Sequence, residues 1–169
     1  IKFHPHLFNV QRVRISTLKI NYFLRTPIKL AIKRNNPLND TEIQDTYMAV
    51  PVLVVDDSSM SRKIVKKALP PAWNIDLSEA ADGEQAIKAY REGKAHIMFL
   101  DLTMPVKDGF QVLEAIQADG MKSFVVVISA DIQPKAQQRV KELGAMAFIK
   151  KPVKPEDIAN ILKEYGIFG

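Results

Sequence analysis

The stretch Val52-Leu53-Val54-Val55-Asp56-Asp57-Ser58 runs four apolar residues straight into two carboxylates and a hydroxyl. A short apolar run without polar alternation is what a strand needs when both faces of its sheet are covered, the usual condition of parallel sheets. The acids then mark the strand's carboxyl end, and Ser58 or Ser59 is placed to cap the helix that follows. From Val50 onward the same phrase recurs. Strands are predicted at residues 52–55, 75–79, 97–100, 125–128 and 147–149, and helices at 60–69, 83–91, 110–117, 134–143 and 155–164. Five alternating units define an α/β fold, a doubly wound (βα)5 parallel sheet with helices on both faces.

The first helix aligns Met60, Ile64 and Ala68 with Val65 and Leu69 on one stripe, turns Arg62, Lys63, Lys66 and Lys67 toward water, and stops at Pro70-Pro71. The last helix buries Ile158, Ile161 and Leu162, with Tyr165 beside them. The sequence ends soon after, so no C-terminal output domain is expected.

Of the 169 residues, 47% are hydrophobic, enough for the core of one domain with an extension. Cys is absent, which excludes disulfides and thiolate metal sites and makes a reducing, cytoplasmic setting the expectation. No apolar run approaches the roughly 20 residues needed to cross a bilayer, so no membrane association is expected. The net charge of +5 is uneven: residues 1–47 hold eight Lys/Arg against three Asp/Glu, which accounts for the whole excess and leaves residues 48–169 neutral. Residues 1–47 show no sustained period, carry Pro5, Pro27 and Pro37, and are read as a basic, disordered leader, upstream or vector-derived. Met48 is then the natural start, and 48–169 the domain. A targeting peptide and a basic arm for nucleic acid or anionic lipid are the alternatives for the leader. His4 and His6 within it are read as coincidence rather than a metal pair, and Trp73 as a packing residue.

In a doubly wound sheet, functional groups gather where strands end. Asp56 and Asp57 follow the first strand, Asp101 the third, Ser129 the fourth, and Lys150-Lys151-Pro152 the fifth. Any one of these has an ordinary explanation, since a strand-end Asp often caps a helix and a Lys before Pro is often solvated. Their joint placement after four strands is what points to chemistry. Three convergent carboxylates repel unless a cation neutralises them, and oxygen-only ligands suit a hard divalent ion, Mg²⁺ or Mn²⁺. Such an ion shields the approach of a phosphoryl group to an anionic Asp, while Lys151 and Ser129 supply charge and hydrogen bonds to the phosphoryl oxygens.

These residues, with Asp101-Leu102-Thr103-Met104-Pro105-Val106-Lys107-Asp108-Gly109, Val127-Ile128-Ser129-Ala130 and Lys150-Lys151-Pro152, resemble the motifs of response-regulator receiver domains, the CheY-like family of two-component systems. The resemblance covers about Val52 to Tyr165. It implies a flavodoxin-like sheet of order 2-1-3-4-5. It also implies Asp101 as phosphoacceptor, with Lys151 and Ser129 completing the catalytic set. The metal would be held by Asp57, Asp101 and the Thr103 backbone carbonyl, with Asp56 acting through water. Ser129 and Phe148 would form the switch, and the side chains of Thr103 and Asp131 would tune dephosphorylation. Thr103 departs from the Asn or Glu frequent at that position, which a backbone ligand tolerates. Phe148 lacks the hydroxyl a Tyr would present, so the switch would signal by packing. Pro105 and Asp108-Gly109 are expected to shape the adjoining loop.

The implied function is a single-domain response regulator. It would accept its phosphoryl group from a sensor histidine kinase or a histidine phosphotransfer protein. It would signal to an output protein through the fourth helix, fifth strand and fifth helix, without enzymatic output. DNA binding is disfavoured by the neutral domain. An aspartate-nucleophile phosphatase is the alternative enzyme class, but it would place nucleophile and acid two residues apart after the first strand, whereas here the acids are adjacent.

Overall fold

The computed structural model describes residues 49–131 and 133–168; the leader, with His4 and His6, lies outside the described residues. The elements alternate strictly: β1 (Val50–Val55), α1 (Ser59–Ala68), β2 (Ile75–Ala80), α2 (Gly83–Arg91), β3 (Ile97–Asp101), α3 (Gly109–Ala118), β4 (Phe124–Ser129), α4 (Pro134–Glu142), β5 (Ala147–Lys150) and α5 (Pro155–Glu164). The five strands are parallel and lie in the order β2-β1-β3-β4-β5. From β1, inside the sheet, the path steps out to the edge strand β2 and then crosses back to β3. A crevice opens between the carboxyl ends of β1 and β3 at such a reversal.

Alternation along the central strands divides the core in two. Val52, Val54, Ile97, Phe99, Val126 and Ile128 pack with Val65 and Ala68 of α1, with Leu69 at its C-cap, and with Ile158 and Leu162 of α5. Leu53, Val55, Met98, Leu100, Val125 and Val127 pack instead with Ala86 and Ile87 of α2, Val112, Leu113 and Ile116 of α3, and Val140 of α4. Trp73 is buried in the first of these clusters, with its ring 6.1 Å from that of Phe168. The strands run slightly further than the apolar runs predict, because ladder pairing is a backbone property. Asp101 pairs in register with Ile128, and Ser129 with Lys150. These polar residues therefore sit on the rigid sheet itself.

The structure corrects the reading of α1. Met60 and Ile64 are 63% and 42% exposed, and the buried arc is Val65, Ala68 and Leu69. Lys63 and Lys67 face water as expected, whereas Arg62 and Lys66 are half-buried and both pair with Glu79 of the edge strand β2. The helix thus gives one flank to a polar clasp rather than to core.

At the far end of α5, the Tyr165 hydroxyl donates to the Met146 carbonyl at 2.8 Å, and its ring meets Phe124 edge-on at 4.9 Å. Burial pushes the Tyr165 phenol up from its ordinary range, reinforced by Glu164. Tyr165→Phe keeps the ring but orphans the carbonyl, and is expected to lower stability by about 1 kcal/mol in urea unfolding.

Candidate functional site at the carboxyl rim of the sheet

At the end of β1 the chain must satisfy its backbone without a further ladder. The Asp56 N–H donates to the Ala80 carbonyl at 3.2 Å, and the Ser58 N–H then donates to Asp56 Oδ1 at 2.9 Å. Ser58 is the N-cap of α1, its Oγ accepting from the Ser61 N–H. This turn separates the two acids: Asp56 is buried, 3% exposed, while Asp57 is exposed. Asp101, at the end of β3, is 4% exposed. One carboxylate oxygen from each of Asp56, Asp57 and Asp101 lies within 4.8 Å of the others. Residues from two different strands therefore meet as the rim pattern predicts.

Lys151 joins them. Its N–H donates to the Ser129 carbonyl at 2.9 Å, which fixes the backbone leaving β5. Its ammonium then donates to Asp56 Oδ2 at 2.7 Å and pairs with Asp101 Oδ1 at 3.0 Å. One cation serves two buried carboxylates, and the two sides respond differently. Burial alone would lower the Lys151 ammonium, but hydrogen bonds to Asp56 and Asp101 outweigh it and hold it above its ordinary range. Burial pushes the Asp101 carboxyl up, and the shared Lys151 and the Leu102 N–H do not fully offset it, with Asp56 adding repulsion. The pocket is short of positive charge.

That deficit sets a stability prediction. A carboxyl whose folded pKa lies above its unfolded value costs stability when ionised in both states, and the cost is relieved as pH falls through the folded value. Without divalent ions, Asp101→Asn is expected to stabilise the protein at neutral pH, because it removes a desolvated negative charge while Lys151 keeps Asp56 as its partner. The gain should shrink in mildly acidic buffer. Urea unfolding in chelator at the two pH values checks both statements, and a less stable variant at neutral pH would contradict them.

Ser129 is fully buried at the end of β4, and its Oγ accepts the Asp131 N–H at 3.1 Å. Asp131 is exposed and caps the turn by accepting the Gln133 N–H at 2.9 Å. Thr103 stands exposed in the β3–α3 loop, two residues beyond Asp101. Phe148 is half-buried on β5, against the cluster that α2, α3 and α4 share.

Two further residues shape the site. Gly109 does begin α3, behind Asp108 as N-cap. Its role is close approach rather than a special turn conformation: a Cβ there would collide with the Asp101 carbonyl oxygen and lie 2.8 Å from Leu102 Cα. The left-handed residue of the loop is instead Val106, with φ of 67°. Arg62, expected on the solvated face, donates from Nη1 to the Asp56 carbonyl at 2.8 Å and from Nε to Glu79 at 2.8 Å. The sequence signal for it is faint, an acid near the end of β2 opposite a helical Arg.

Parallel order 2-1-3-4-5, with an acidic crevice bridged by a Lys, defines a class of protein, and comparison with known proteins agrees. The family model for the response regulator receiver domain matches residues 52–163. The chain belongs to that family. It is 40% identical over 101 residues to protein CcdB of Bacillus subtilis, covering 60% of this chain and 84% of that one. It is 30% identical over 113 residues to the chemotaxis protein CheY of Thermotoga maritima, covering 67% and 94%. Among solved structures, the CheX-CheY-BeF3-Mg complex of Borrelia burgdorferi superposes with a TM-score of 0.65 at 29% identity, covering 72% of this chain and 92% of that one. Among the described residues, no helix is long and apolar enough to cross a membrane.

Proposed function

We propose that this receiver domain is a phosphorylation switch, with Asp101 as the phosphoacceptor. The observation that carries the proposal is the convergence of Asp56, Asp57 and Asp101, their oxygens within 4.8 Å, on one Lys151 ammonium at the sheet's rim.

The residues fit a hard divalent cation. The donors are all oxygens, the cluster is short of positive charge, and Asp57 is the exposed member through which an ion would enter. Asp57, Asp101 and the Thr103 carbonyl would hold Mg²⁺ or Mn²⁺, with Asp56 behind. The ion, when bound, would neutralise the carboxylates and the incoming phosphoryl oxygens. The Complex from Borrelia burgdorferi, named for BeF3 and Mg, supports this assignment by likeness.

Asp101 offers as nucleophile the oxygen that Lys151 does not hold. Its O–P bond forms as the donor's bond to phosphorus breaks, the leaving group departing with the electron pair. Lys151 is tied to Ser129 by its backbone and to Asp101 by its ammonium, so it is placed to follow charge from the carboxylate onto the phosphoryl oxygens. Ser129, released from the Asp131 N–H, would donate to the same oxygens, and Phe148 would fill the space behind it. Thr103 and Asp131, both exposed beside this path, would set how fast water reaches the acyl phosphate.

The donor would be a sensor histidine kinase or a histidine phosphotransfer protein. The output would be protein contact through α4, β5 and α5 in the cytoplasm, without enzymatic turnover of a substrate. Acetyl phosphate with Mg²⁺, read by intact mass, tests the proposal. Wild type should gain one phosphoryl group and Asp101→Asn none. Absence of uptake by wild type from any phosphodonor would overturn it.

A further inference from the structure

We propose that Arg62 is a positioning residue for the acidic pair, an inference that rests on the phosphoacceptor reading above. The carbonyls of Asp56 and Asp57 leave the sheet where β1 ends, and such groups need partners wherever water is restricted. Arg62 supplies them. Its Nη1 donates to the Asp56 carbonyl at 2.8 Å and approaches the Asp57 carbonyl at 3.4 Å. Its Nε donates to Glu79 at 2.8 Å, and Lys66 pairs with the other Glu79 oxygen. The Arg62 side chain is only 17% exposed.

The guanidinium is a planar fork, so holding Glu79 with one edge orients the other. Glu79 belongs to β2, and the Arg62 backbone to α1. The clasp therefore ties two elements, β2 and α1, to the two peptide planes from which the acids project. Rotation of either plane would swing its carboxylate away from the rim. Hydrogen bonds from Lys66 and Arg62 hold the Glu79 carboxyl below its ordinary range, so it stays ionised and the clasp stays closed at neutral pH.

The sign of the effect separates positioning from simple charge. Arg62 is a cation beside a site for a cation. If it acted only through its field, removing it would tighten divalent binding, and exchanging it for Lys would change nothing. Positioning predicts a loss in both cases, because a Lys ammonium cannot reproduce the fork.

Mg²⁺ titration by calorimetry on the unphosphorylated protein tests this with wild type, Arg62→Ala and Arg62→Lys. Amide exchange at Ser58, whose N–H is bonded to Asp56 Oδ1, is read in parallel without metal. Both variants are expected to bind Mg²⁺ about tenfold more weakly, the scale for losing a group that orients metal ligands, with faster exchange at Ser58. Tighter binding by Arg62→Ala, or unchanged binding by Arg62→Lys, would overturn the inference while leaving the phosphoacceptor reading intact. Should Arg62→Ala fail to fold, the Lys variant decides. A wild type that binds no Mg²⁺ would instead sink the reading on which the inference rests.

Discussion

Lys151→Ala is expected to lose roughly 3 kcal/mol of stability in chelator, because it leaves Asp56 and Asp101 buried side by side without their shared cation. Excess Mg²⁺ should return much of the loss, about 2.7 kcal/mol at a hundredfold excess over Kd, as expected for an ion that binds the folded chain alone. Mg²⁺ affinity should survive, as the ammonium competes with the metal for the same carboxylates. Phosphoryl uptake should persist but lose its coupling to partner binding. The pH behaviour follows from the raised Lys151 pKa: its stabilisation in wild type is full below the ordinary lysine range and fades as pH rises through the folded value. Unfolding midpoints of both proteins with and without Mg²⁺ check the claim. A variant whose Mg²⁺ affinity vanished would contradict the role given to Lys151.

Gly109→Ala is expected to be as damaging, by a different route. The added methyl would overlap the Asp101 carbonyl oxygen and crowd Leu102 Cα at 2.8 Å, both backbone atoms of the chain leaving β3. Backbone cannot step aside as a side chain can, so the cost should reach about 3 kcal/mol, the upper range for overpacking. α3 must shift or Asp101 must. A displacement near 1 Å at a reacting group typically costs on the order of a hundredfold in rate. The variant should therefore fold with a lower urea midpoint and take up phosphoryl groups far more slowly. Wild-type stability would show that α3 does not bear on the acceptor strand.

The sheet was legible because burial on both faces makes each central strand an unbroken apolar run, as Val125-Val126-Val127-Ile128 shows. The rim was legible because polar residues that end such runs must point at the crevice or be solvated. Four strand ends agreeing on acids, hydroxyl and ammonium left little room for coincidence. Adjacent letters hid more. Asp56 and Asp57 look equivalent in sequence, yet the cap at Ser58 buries one and exposes the other. The α1 stripe misled because helical periodicity marks a face without its width. Met60 and Ile64 share that face with Ala68 but fall outside the arc the sheet covers. The Arg62–Glu79 clasp joins residues seventeen apart, a pairing that only the β1–β2 register brings together. Likewise, nothing local marks Val106 for a left-handed conformation, since no glycine stands there.

The most direct test of the account is where a phosphoryl group lands. Wild-type protein is loaded with acetyl phosphate and Mg²⁺, reduced with borohydride to convert any acyl phosphate to an alcohol, digested, and sequenced by mass spectrometry. Homoserine is expected at position 101, with aspartate retained at 56 and 57. Reduction at either of those residues, or an unreduced peptide spanning Asp101 in protein that had gained phosphoryl mass, would contradict it.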